Sequence, residues 1–97
     1  MAAYIVATVN VTDPVKFGKY VAAIAGLSEK HGGEYIVRGK VAEVLEGDVN
    51  PNERVVVSRF PTKEAAIAYA KSPEYQAGKA MREGAGTVET RLLIDPD

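Results

Sequence analysis

Ala3-Tyr4-Ile5-Val6-Ala7-Thr8-Val9-Asn10-Val11-Thr12-Asp13-Pro14 holds a strand and the start of a helix, and the way these two pieces must be joined to the rest decides the fold. Tyr4 to Val11 is apolar and β-branched, the composition of a strand. Side chains alternate along a strand, so Ala3, Ile5, Ala7, Val9 and Val11 share one face and Tyr4, Val6, Thr8 and Asn10 the other. Both sets are largely apolar near the start, which predicts a strand inside a sheet covered on both faces. Asp13 can then accept from the free N–H groups of a helix, and Pro14 suits its first position because it has no N–H to leave unpaired.

Working outward, Phe17, Tyr20, Val21, Ile24, Leu27 and Ser28 recur at helical spacing and predict one buried stripe, with the helix running to Gly32-Gly33. Glu34 to Arg38 reads as a short second strand. Gly39 predicts a bulge or bend, with extended chain resuming from Lys40 to Glu46. Gly47-Asp48-Val49-Asn50-Pro51-Asn52 is a loop. Arg54 to Phe60 is a third strand, expected to be central. Thr62 caps a helix through Ala70, and Ser72-Pro73 repeats the cap-then-proline signal for a short helix to about Glu83. Gly84-Ala85-Gly86 turns the chain into a last strand, Thr87 to Ile94, and Asp95-Pro96-Asp97 is a tail.

The order is therefore strand, helix, strand, strand, helix, strand. Both strand–helix–strand crossovers must be right-handed, which puts both helices on one face of one antiparallel sheet. This is the ferredoxin-like βαββαβ arrangement of the α+β class, and residues 1–97 read as one such domain with a core from about 4 to 94. Nothing in the chain is left to cover the other face. Yet Tyr4, Val6, Val55 or Val56, and Leu92 or Leu93 must supply apolar atoms to both faces. A second copy stacked face to face is the simplest cover, so a homodimer through the open sheet face is expected.

Composition removes several function classes. The 12 basic and 13 acidic residues give a net charge of -1 with no basic run, so a nucleic-acid partner is not expected. With no cysteine and one histidine, the chain cannot build disulfides, thiolate sites or multi-histidine metal clusters. No glycine-rich phosphate loop follows a strand, no nucleophile elbow is present, and no flavin or nicotinamide fingerprint appears; no cofactor or metal is expected. No apolar stretch approaches the roughly 18 residues of a membrane span, so no membrane partner is expected. Met1 to Val9 lacks a basic leader and runs on as a strand, which points to the cytoplasm.

Val11-Thr12-Asp13-Pro14, Gly32-Gly33, Arg38-Gly39, Leu45-Glu46-Gly47, Arg54-Val55-Val56-Val57, Phe60-Pro61 and Ser72-Pro73-Glu74-Tyr75-Gln76 occur in that order. The set, spanning roughly Tyr4 to Ile94, resembles the domain of unknown function 1330 family within the dimeric α+β barrel superfamily. The resemblance implies sheets paired into a barrel across a dimer, and a pocket within each subunit between helices and sheet. It implies no settled function; related superfamilies include cofactor-free monooxygenases, small-lactone isomerases and haem-degrading enzymes. Two positions depart from the family pattern. Lys40 stands where a second glycine often follows Arg38-Gly39, and Arg59 where an acid often precedes the Phe-Pro pair.

A few side chains are candidates for chemistry. His31 is the one side chain with an ordinary pKa near neutrality; it is a helix-end histidine attracted by the dipole, a general base or a haem ligand. Arg38, beside the bend, is either half of a salt bridge, such as one to Glu46, or a bidentate clamp for a carboxylate. Tyr20, Tyr69 and Tyr75 sit on helix faces expected to look at the sheet, where a phenol either packs in the core or hydrogen-bonds a ligand. Arg82 follows Tyr75 by seven residues, on the same helix side. Glu46 and Asp48 flank Gly47 and read as solvated loop acids, and Glu89 and Arg91 as a polar pair near a sheet edge or dimer rim.

Two functions remain. One is a small-molecule pocket protein, possible as a cofactor-independent, monooxygenase- or isomerase-like enzyme, with His31 and Arg38 as catalytic candidates and Tyr20, Tyr69, Tyr75 and Arg82 as ligand contacts. The other is a non-catalytic dimeric binding or structural module, in which the same residues serve the fold. A closed helix–sheet interface favours the second; a cavity of about 300 Å³ or more lined by the tyrosines and Arg38 favours the first.

Overall fold

The chain alternates strands and helices as β1 (Ala3–Val11), α1 (Pro14–Ala23), α2 (Leu27–Lys30), β2 (Glu34–Lys40), β3 (Arg54–Phe60), α3 (Lys63–Lys71), α4 (Pro73–Ala80) and β4 (Gly86–Ile94). The computed structural model describes residues 1–95; Pro96 and Asp97, the end of the expected tail, lie outside them. The strands form one antiparallel sheet in the order β2-β3-β1-β4, the ferredoxin-like order. Both runs with the strongest apolar, β-branched character, β1 and β3, take the central places, where each backbone has a partner on both sides.

The caps act as their residue types dictate. Asp13 accepts from the Lys16 amide, Thr62 from Ala65 and Ser72 from Tyr75, each satisfying an N–H that the first turn leaves free. The first crossover differs from the sequence expectation. It is broken, because Gly26 takes φ +76° and ends α1 one turn before the stripe does. The break lets Leu27 and Ser28 turn back into the core, where both are buried. Gly32 adopts φ +82°, whereas Gly33 is small for another reason: a Cβ there would lie 2.6 Å from the Phe60 ring.

Two further expectations are corrected. The irregularity in β2 falls between Tyr35 and Val37, leaving Ile36 as the extra residue, while Gly39 pairs regularly with Val55. The extended run expected from Lys40 to Glu46 is absent past Lys40; residues 41–53 form a loop closed where the Val41 amide donates to the Glu53 carbonyl. Lys40 still pairs with Arg54 and the Val41 amide with Glu53, but beyond them no antiparallel neighbour is in register, so extended propensity alone does not hold the rest.

Register assigns every strand side chain to a layer. Ala3, Ile5, Ala7 and Val9 stand beside Phe60, Ser58, Val56 and Arg54 under the helices. On this side α3 packs on β1, β3 and β4, while α1 leans on α4. Tyr4, Val6 and Thr8 stand beside Arg59, Val57 and Val55 on the opposite face, with Leu93, Arg91 and Glu89 of β4 alongside. The Cα envelope is 33 × 32 × 15 Å, the thinness of one helix layer on one sheet. Among the described residues no helix covers the second face, and Val37 and Leu93 on it are 46% and 47% exposed.

Candidate functional site

A cavity of about 620 Å³ lies between the helices and the sheet. Its floor is the helix-facing row of the strands, Ile5, Ala7, Val9, Val56, Ser58 and Val88. Within the helix layer α1 packs on α4. Gly78 permits that approach, since a Cβ there would lie 2.6 Å from Ile24 Cγ2.

An aromatic chain forms one wall. Phe17 meets Tyr20 edge-on at 5.3 Å, Tyr69 packs on Phe60 at 5.4 Å, and Tyr69 and Tyr75 are 5.1 Å apart between ring centroids. Ser72 holds two of these rings in place. Its hydroxyl donates to the Tyr69 carbonyl at 2.8 Å and accepts from the Tyr75 amide at 3.1 Å.

At one end of the wall the polar groups converge. The Tyr20 and Tyr75 hydroxyls are 3.1 Å apart, and Arg82 Nη1 donates to the Tyr75 hydroxyl at 3.1 Å. The Arg82 guanidinium also lies 4.6 Å over the Tyr20 ring, a cation–π contact that pins it from the side. Two phenols carry two protons, and their mutual bond uses one. One hydroxyl proton therefore has no acceptor among the described residues.

Burial pushes the Tyr20 phenol up from its ordinary value, and its bond to Tyr75 acts the same way; burial also pushes Tyr69 up. Taking a phenolate out of water costs more than taking out a phenol. Tyr20 and Tyr69 therefore stay protonated, and they can donate to an oxygen but not abstract a proton.

Arg38 reaches the cavity from β2 with its guanidinium 4.7 Å over the Tyr35 ring; it has no carboxylate within 4.0 Å among the described residues. The salt bridge to Glu46 considered from the sequence is not formed. His31 does not line the cavity. It ends α2, its Nδ1–H donates to the Leu27 carbonyl at 3.1 Å, and its ring meets Tyr69 edge-on at 5.9 Å. The cavity thus brings together Tyr20, Tyr69, Tyr75, Arg38 and Arg82, and His31 braces the wall from behind.

Sequence reasoning missed Ser58, Glu29, Lys79 and Thr90, which also line the cavity. Ser58 carried a signal, a buried hydroxyl on the helix-facing side of a central strand that is otherwise valine-rich. Of the two departures, Arg59 projects from the bare face and pairs with Glu34 at 3.9 Å, and Lys40 ends β2 opposite Arg54.

A family model described as Domain of unknown function (DUF1330) matches residues 2–95. No curated protein matches the chain. A protein of unknown function from Rhodopseudomonas palustris, RPA0582, superposes with a TM-score of 0.80 at 16% identity, over 98% of this chain and 84% of that one. A dimeric ferredoxin-like protein of unknown function from Jannaschia sp. CCS1 gives 0.75 at 17% identity, over 98% and 100%. SnoaB, a cofactor-independent oxygenase from Streptomyces nogalater, gives 0.67 at 15% identity, over 99% and 94%. At these identities the likeness is one of fold.

Proposed function

For a chain that belongs to the domain of unknown function 1330 family, whose name assigns no activity, we propose that it binds a small organic molecule in the helix–sheet cavity, one in each subunit of a homodimer. The cavity carries this reading. Protein interiors are packed to crystal density, and a chain of 97 residues has little core to spare. A mainly apolar space of about 620 Å³, with a few converging polar groups, has the size and character of a ligand site.

A catalytic form of the same reading, a cofactor-independent isomerase- or monooxygenase-like enzyme, is favoured by one feature. The Arg82–Tyr75–Tyr20 group places neutral hydroxyls and a guanidinium where negative charge developing on a substrate oxygen would be held. Glu29 is the one carboxylate among the lining residues and the candidate base. SnoaB lends this form a precedent on a similar fold. Without turnover the same site serves a binding module.

The dimer contact is assigned to the bare sheet face. Val6, Val57, Val55 and Val37 make its apolar centre, and the Glu34–Arg59 pair lies toward its border. The dimeric protein from Jannaschia supports the assembly. Native mass spectrometry of freshly purified protein tests both parts. Twice the chain mass with a retained organic adduct is expected; a bare monomer that takes up no small aromatic compound would overturn the proposal.

A further inference from the structure

The lining of the cavity is charged against the grain of the molecule. The whole chain has a net charge of -1, yet the lining holds Arg38, Lys79 and Arg82 against one carboxylate, Glu29. Arg91 also borders the cavity, but it pairs in register with Val6, which turns its side chain to the opposite face. None of the three cations has a carboxylate within 4.0 Å among the described residues. Arg38 and Arg82 are instead held over tyrosine rings, which fix a guanidinium without neutralising it.

Resting on the pocket reading above, we infer that the ligand is a small organic anion, an apolar ring-sized body bearing a carboxylate, seated with its charged end on Arg82 and the Tyr20–Tyr75 hydroxyls. Three observations converge on that end. Arg82 carries five N–H donors and gives one to Tyr75, so its fork retains donors for a bidentate partner. The phenol pair has one proton without an acceptor. Both groups are immobilised before any ligand arrives, by the ring contact and by the Ser72 cap, so little ordering is left to oppose binding. The remainder of the space, walled by Phe17, Ile24, Ala66 and Val88, suits an apolar body.

The test compares 2-naphthoate with its neutral isostere 2-naphthamide by calorimetric titration of the full chain. Naphthoate is expected to bind at least about tenfold more tightly, the discrimination of a charge-assisted hydrogen-bonded site. Arg82→Met should abolish the preference while leaving naphthamide affinity within about twofold, and Tyr75→Phe, which keeps the packing, should reduce it severalfold. If Arg82→Met does not fold, Arg82→Lys reports instead: it keeps the charge, loses the fork, and should lose most of the preference. Equal affinities for the two probes would overturn the anion assignment and leave the pocket reading standing. A preference that survives both Tyr75→Phe and the Arg82 variant would also overturn it. Failure of both probes to bind would overturn the pocket reading together with the inference.

Discussion

The hydroxyls of Tyr20 and Tyr75 stand 3.1 Å apart although 55 residues separate them in the chain. One comes from α1 and the other from α4, so the bond ties the two helices together along one wall of the cavity. It is also a stability device with a definite pH range.

In the unfolded chain, Tyr20 and Tyr69 lose their protons near the ordinary value of 10.0, whereas burial holds both protonated in the fold well above it. A raised folded value means that the folded state binds more protons once pH passes the unfolded value. This contribution is therefore complete below about pH 10 and is lost above it, by about 1.4 kcal/mol per pH unit for each phenol. Urea midpoints measured on either side of about pH 10 should fall steeply on the alkaline side, and Tyr20→Phe should roughly halve that slope. A midpoint that is flat into alkali would contradict the burial of these phenols.

Ser72 does more than a cap. Thr62 satisfies one amide, that of Ala65, whereas buried Ser72 accepts from Tyr75 and donates to the Tyr69 carbonyl. Thr62→Ala should cost about 1 kcal/mol and Ser72→Ala about 2 kcal/mol or more. Only Ser72→Ala should also weaken naphthoate binding, because it frees two rings of the wall. Chemical denaturation and calorimetry on the same two variants check both halves.

Gly33 and Phe60 are fitted to each other. Phe60 is fully buried, and a Cβ at Gly33 would lie 2.6 Å from its ring. Gly33→Ala should cost about 1–3 kcal/mol through overpacking. Phe60→Leu removes the ring atoms the new methyl would meet, leaving the Ser28 carbonyl at 3.0 Å as its tight neighbour, so the double variant should be more stable than the sum of the two single changes implies. A thermodynamic cycle from urea melts measures the coupling, and strict additivity would refute the contact.

Val57 lies at the centre of the bare face, paired with Val6 on one side and Val37 on the other. Val57→Asp places a carboxylate where the proposed partner would desolvate it. Light scattering should shift from dimer to monomer mass with the circular dichroism unchanged. A folded Val57→Asp variant that stays dimeric would move the interface elsewhere.

Much of the architecture was legible before any coordinates. The alternation in Ala3 to Val11, the caps at Asp13, Thr62 and Ser72, and the strand–helix order are local patterns, and local patterns are set by sterics and hydrogen bonding within a few residues. The buried stripe was legible except at Val21, which is 46% exposed, and it held even where the helix did not: Leu27 and Ser28 are buried although Gly26 breaks the element between them and Tyr20. The bulge was misplaced because a glycine permits an irregularity without requiring one, and at Ile36 the pairing with β3 settled the matter.

By itself the sequence determined the α+β class, the strands that lie at the centre, which residues of a strand share a face, and the expectation of a sheet face with no helix to cover it. Only the tertiary structure decided that a cavity stays open between the helices and the sheet, that Arg82 reaches Tyr75 and lies over Tyr20, and that His31 packs on Tyr69 without lining the cavity. The reason is one of range. Periodicity and capping act over a single turn or pleat, whereas the distance between α1 and β3 is the joint result of every side chain packed between them, and no local pattern records it.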